Sequence, residues 1–182
     1  VRTLKWLSLA NNSIVIPSSG AFLHSDNLEI LDMEGCGLRH ISYSTFTGLT
    51  NLRELYLSHN GLHAVNTQHF KLKNIIRTIY LLDISYNHFN VLPDFSNVFP
   101  QIKELNIMYN NLNNFSEILK YSKVGYNLTH LQVGGNPCVK KCDFSDLCDR
   151  ITYTVDICQG SDVPSNRDRR SASHVKCGEK ST

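Results

Sequence analysis

Long apolar runs are missing from this chain of 182 residues. No stretch approaches the roughly 18 residues that a membrane-spanning helix needs. A surplus of one charge is missing too: 18 Lys and Arg against 16 Asp and Glu leave +2, too little to imply a nucleic-acid partner. No charged-then-apolar leader opens the chain, so a signal peptide is expected to be absent or already removed. There is no nucleophile–base–acid set, no P-loop and no glycine-rich nucleotide motif, and the 8 His are scattered. Neither catalysis nor a cofactor is expected. With 41% hydrophobic and 19% charged residues, what remains describes an ordinary folded domain able to bury its own core.

Cysteine is scarce until late. Cys36 stands alone, whereas Cys138, Cys142, Cys148, Cys158 and Cys177 crowd the last quarter. In an oxidising compartment that distribution implies a stapled cap on a cysteine-poor body. The spacing C-x3-C-x5-C-x9-C-x18-C suits no paired C-x2-C zinc scheme, so disulfides are favoured and no metal site is expected. Asn11-Asn12-Ser13, Asn114-Phe115-Ser116 and Asn127-Leu128-Thr129 each satisfy the N-glycosylation triplet, which makes Asn11, Asn114 and Asn127 candidate acceptors. Together these features point to an extracellular chain, secreted or displayed at the cell surface.

One spacing recurs six times: "LKWLSLANNSI" from Leu4, "LEILDMEGCGL" from Leu28, "LRELYLSHNGL" from Leu52, "IYLLDISYNHF" from Ile79, "IKELNIMYNNL" from Ile102 and "LTHLQVGGNPC" from Leu128. The starts lie 24, 24, 27, 23 and 26 residues apart. Neither strand nor helix periodicity explains this pattern for more than a few residues. Each copy fits L-x-x-L-x-L-x-x-N/C-x-L, the leucine-rich-repeat signature. The physics predicts a short parallel strand per copy, centred near Leu55 in the third. Its Leu and Ile side chains point inward, each contributing on the order of 1.5–3 kcal/mol by burial. After the strand the chain turns inside an apolar core, and a side-chain amide can satisfy the stranded backbone groups. Asn12, Asn60, Asn87, Asn110 and Asn136 occupy that place, with Cys36 in the second copy as a buried free thiol. Phe22, Phe46 and Phe70 each fall 18 residues after their repeat's start and predict a stacked spine, continued by Phe95 and Ile118.

Repeats of this length with a Phe spine resemble the "typical" class of extracellular leucine-rich-repeat proteins, found in Toll-like receptors, Slit-type guidance proteins and secreted immune factors. The likeness runs from residue 4 to about 147. It implies an α/β fold: a right-handed solenoid with short parallel strands on its concave face, an irregular convex side and a disulfide-bonded C-terminal cap. Residues 1–136 would carry the repeats, 137–178 the cap and 179–182 a tail. The family's cap opens N-P-x-x-C-x-C-x-L-x-x-L; Asn136, Pro137, Cys142, Phe144 and Leu147 fall on it, while Lys140 stands where its first Cys belongs and Cys138 lies two residues early. That departure leaves the pairing open: five cysteines with one left over allow fifteen arrangements, of which Cys138–Cys158 with Cys142–Cys177 is the one expected here. Cys148 is left either buried in the cap or free for an intermolecular bond. The family also places a cap before its first repeat. None precedes Leu4, so the chain is expected to be part of a longer solenoid.

Binding is expected on the outward positions flanking each strand. In copies two to five these are Glu29, Ile30, Asp32, Glu34 and Gly35; Arg53, Glu54, Tyr56, Ser58 and His59; Tyr80, Leu81, Asp83, Ser85 and Tyr86; and Lys103, Glu104, Asn106, Met108 and Tyr109. Six acids against two bases leave about −4 here in a chain that is +2 overall, and Tyr recurs four times. Tyr suits interface anchoring because it joins a large apolar area to a polar tip. The implied partner is a protein with a basic patch, bound through Glu29, Asp32, Glu34, Glu54, Tyr56, Tyr80, Asp83, Tyr86, Glu104 and Tyr109. A receptor, adhesion or innate-immune role follows from the family likeness alone. The main alternative is a secreted structural or immune protein that acts as a homo- or heterodimer through an odd cap cysteine. Arg167–Arg170 ("RDRR") resembles a furin-type convertase site, although short basic runs are more often simply solvated.

Overall fold

The computed structural model describes residues 3–15, 20–41, 45–63, 78–92, 99–113, 128–137 and the strand Thr152–Thr154. Every regular element in these residues is a strand of three residues: β1 Trp6–Ser8, β2 Ile30–Asp32, β3 Glu54–Tyr56, β4 Leu81–Asp83, β5 Glu104–Asn106, β6 His130–Gln132 and β7 Thr152–Thr154. They form one parallel sheet in chain order. The first six fall where the repeat places them. The seventh lies within the segment read as a cap and extends the sheet by one rung, with Leu131 opposite Tyr153. Parallel strands with one crossover each wind right-handed, and the molecule is a right-handed leucine-rich-repeat solenoid.

The central residue of each strand points inward. Leu31, Leu55, Leu82, Leu105 and Leu131 lie in register and are buried. The Leu, Ile, Met or Val two residues later joins them as Met33, Leu57, Ile84, Ile107 and Val133. Phe22 and Phe46 are buried and stacked with centroids 6.5 Å apart, the start of the expected spine. Phe70, Phe95 and Ile118 lie outside the described residues.

The amide ladder forms as the repeat requires. Asn60 Oδ1 accepts the Leu38 N–H (2.9 Å), while its Nδ2 donates to the carbonyls of Met33, Leu57 and Ser58. Asn87, Asn110 and Asn136 repeat this bridge to the preceding turn. Cys36 substitutes with its thiol, which donates to the Leu9 carbonyl (3.1 Å); it is a buried free cysteine, and burial pushes its pKa up. Asn12 departs from expectation. It is exposed, and its amide reaches only the Leu9 and Ala10 carbonyls of its own turn, because no described residues pack on the outer side of the first rung.

Candidate functional site

Strand register arranges the outward side chains in two columns. One reads Trp6, Ile30, Glu54, Leu81, Glu104, His130; the other reads Ser8, Asp32, Tyr56, Asp83, Asn106, Gln132. Acids alternate between the columns from rung to rung: Asp32, Glu54, Asp83, Glu104. Most of these positions are half-buried, since each side chain is flanked by those one rung away, whereas Trp6 at the edge is 62% exposed.

Hydroxyl and amide donors hold the carboxylates in place. Glu54 sits between two phenols: Tyr56 Oη donates to its Oε2 at 2.8 Å, and Tyr80 Oη donates to its Oε1. Burial is the main cause that raises the Tyr56 pKa, followed by the bond to Glu54; for Tyr80 the bond to Glu54 comes first. Both phenols therefore stay protonated and keep donating. Asp83 accepts from the Ser85 hydroxyl (2.7 Å), the Ser85 N–H (2.9 Å) and Asn106 Nδ2 (2.9 Å). Asp32 accepts from the Ser8 hydroxyl (2.8 Å) and the Glu34 N–H (3.0 Å).

Cations are placed unevenly. Glu29, at the N-terminal end of β2, pairs with Lys5 (2.9 Å) and Arg53 (3.4 Å), and the Lys5 bond above all lowers its pKa. Asp32, Glu54, Asp83 and Glu104 have no ion pair among the described residues. The centre of the concave face thus carries three carboxylates held by neutral donors, Asp32, Glu54 and Asp83, with Glu104 one rung further on, none of them ion-paired among the described residues.

Two expected positions are corrected. Ser58 and Ser85, read as outward, are 4% and 3% exposed, because the chain is already turning into the core there. His59, Tyr86 and Tyr109 flank their strands as read, each three residues past the strand's end, on the rim. These three share positive φ (54°, 52° and 52°) with Asn11, Gly35 and Gly135, the equivalent residues of the other repeats. The conformation keeps each N–H in the inter-rung ladder while the next residue turns inward. Tyr86 N–H, for example, donates to the Met108 carbonyl at 2.9 Å, and His59 N–H to Ser85 at 3.1 Å. The rings stack: His59 on Tyr86 with centroids 4.1 Å apart, and Tyr86 on Tyr109 at 4.4 Å. Glu34 lies beside this rim, half-buried, and its carbonyl accepts the Asn11 N–H.

Sequence reading confined to copies two to five missed Trp6, Ser8, His130 and Gln132, which the same register applied to the first and last copies would have found. Of the candidate glycosylation sites, Asn11 is exposed, whereas Asn114 and Asn127 lie outside the described residues. So do Cys138, Cys142, Cys158 and Cys177, and Arg167–Arg170. Among the described residues no group of three or more His, Cys, Asp or Glu could hold a metal ion, and no helix is long and apolar enough to cross a membrane.

The comparisons agree with this architecture. A family model described as Leucine Rich Repeat matches residues 51–72. Mouse (Mus musculus) keratocan is 27% identical over 169 residues, covering 81% of this chain and 46% of keratocan. Chicken (Gallus gallus) fibromodulin is 31% identical over 156 residues, covering 73% of this chain and 39% of fibromodulin. The chain thus spans less than half the length of these relatives. Among solved structures, a leucine-rich-repeat protein of Leptospira interrogans superposes with a TM-score of 0.60 at 23% identity, over 75% of this chain and 33% of its own. Internalin C2 of Listeria monocytogenes does so with a TM-score of 0.60 at 19% identity, over 81% and 59%. Repeat, fold and likenesses together make this chain a leucine-rich-repeat protein.

Proposed function

We propose that the chain is a non-enzymatic recognition module whose concave face binds a protein partner bearing basic side chains, outside the cell. The observation that carries this reading is the Glu54 carboxylate, fixed between the Tyr56 and Tyr80 hydroxyls with no ion pair among the described residues. Carboxylates already oriented by neutral donors lose little freedom on pairing, so a partner's Arg or Lys gains the charge-assisted bond at low ordering cost. Asp32, Asp83 and Glu104 extend that acceptor row over four rungs, and Tyr56 adds an amphipathic anchor between Asp32 and Asp83. The likeness to keratocan and fibromodulin, the exposed Asn11 triplet and the late cysteines support the extracellular setting. A receptor, adhesion or immune role for the full-length protein is the extension that the family likeness suggests.

The test is affinity capture from extracellular fluid under non-reducing conditions, comparing the wild type with a Glu54→Gln, Asp83→Asn double variant. Both substitutions keep shape and remove charge. A specific partner is expected to bind the double variant about tenfold more weakly, the equivalent of 1.4 kcal/mol. The difference should shrink at high salt. A partner held equally by both proteins, or a reducible self-dimer alone, would overturn the concave reading.

A further inference from the structure

The rim column changes character along the solenoid. Its six residues follow one another as Asn11, Gly35, His59, Tyr86, Tyr109 and Gly135, all with φ between 52° and 69°. Three carry rings, and each ring is stacked on that of a neighbouring rung. Asn11 stands apart from them. It is exposed, and its backbone N–H is committed to the Glu34 carbonyl at 2.7 Å. Its side-chain amide makes no hydrogen bond among the described residues. The ladder asparagines are the opposite case: Asn12 Nδ2 donates to two carbonyls and Asn60 Nδ2 to three. The rung beside Asn11 is also bare. A Cβ built at Gly35 would find its three nearest atoms in Asn11, Oδ1 first at 2.6 Å, so a side chain there would press on the free amide.

Among the described residues the triplet N-x-[ST] falls on this asparagine alone, and its Ser13 is exposed as well. No ladder asparagine has Ser or Thr two positions on. Asn12 is followed there by Ile14, Asn60 by Leu62, Asn87 by Phe89, Asn110 by Leu112 and Asn136 by Cys138. A sugar on a buried ladder amide would break bonds that the turn needs. On Asn11 it displaces none.

We propose that Asn11 carries an N-linked glycan, which stands on the rim of the first two rungs and leaves the His59–Tyr86–Tyr109 stack uncovered. This rests on the reading of an extracellular chain, because the transfer takes place on the secretory route, and adds a covalent group at one end of the recognition surface. In the transfer Asn11 Nδ2 forms a bond to the anomeric carbon of an oligosaccharide as that carbon's bond to a lipid diphosphate breaks. The amide loses one proton to the leaving diphosphate and keeps one N–H, with no change of oxidation state. A bulky, hydrated group at this point obstructs approach over the rim at β1 and β2. A ligand that crosses the rim then does so at the ring stack.

The test is peptide mapping of the native protein and of the full chain secreted from eukaryotic cells behind a leader. Trypsin cleavage after Lys5 and Arg39 releases a peptide in which Asn11 heads the only acceptor triplet. That peptide is expected to carry glycan in most molecules. A glycan-removing amidase in heavy-oxygen water should convert the Asn11 amide to a labelled carboxylate. Ser13→Ala should abolish the modification with the fold retained, whereas Asn12→Gln, which leaves the triplet intact, should keep it. Should Ser13→Ala fail to fold, the labelled carboxylate of the wild type decides alone. A bare Asn11 in protein that has left the cell would overturn the glycan and leave the concave reading standing. A modification that survives Ser13→Ala would overturn its assignment to this triplet. Native protein confined to the cytosol would overturn the extracellular reading, and the glycan with it.

Discussion

Asn87 and Asn12 hold the same place in their repeats and differ in what surrounds them. Asn87 is 3% exposed and ties its own turn to the one before through Leu57, Ile84, Ser85 and Leu62. Asn87→Ala strands these buried groups, each costing roughly 1–3 kcal/mol less whatever relaxation recovers. Denaturant unfolding should show a loss of about 3 kcal/mol, against about 0.5 kcal/mol or less for Asn12→Ala, whose groups already face water. The amide positions were legible in the sequence because the repeat demands a particular side chain there. The exposure of Asn12 was not, since the pattern describes one repeat and not its neighbours.

The turn after each strand carries information that the hydrophobic pattern does not. Tyr86 and Tyr109 read as strand-flanking anchors because counting from Leu assigns them outward positions, and nothing in a tyrosine signals a left-handed backbone. Only the alignment of all six copies hints at it, through Gly35, Gly135 and Asn11 in the same column. Tyr86→Asn relieves strain and gives up two stacking contacts, each worth about 0.5–1.5 kcal/mol. Its cost should be near 1 kcal/mol. Leu82→Ala on the same rung should cost about 2–5 kcal/mol, because it opens a cavity in the core. Similar losses for the two variants would mean that the rim stack is part of the structural core. The seventh strand was hidden for a related reason: "TYT" at Thr152–Thr154, which pairs with β6, lacks the Leu frame.

At the scale of the whole molecule, each strand pairs only with the strands before and after it. Stability in such a stack is a sum of nearest-neighbour terms. Leu55→Ala should therefore lower amide-exchange protection most in β2, β3 and β4 and least in β6; a uniform loss would indicate a single all-or-none unit. The solenoid was legible in the sequence because six copies of one frame leave little choice of architecture. The pairing of Glu54 with two tyrosines was not, because Tyr80 comes from the next repeat and its reach depends on how the rungs stack.

The backbone repeats every rung, but the charge on its concave face repeats every second one. A basic partner displaced by one rung toward β6 would meet Leu81 where Glu54 had been, Tyr56 where Asp32 had been and Asn106 where Asp83 had been. A displacement of two rungs, about 9.6 Å, would restore the match over part of the row. The surface thus discriminates between odd and even settings of a ligand, and a rod built from near-identical steps acquires a preferred alignment from its alternating charge.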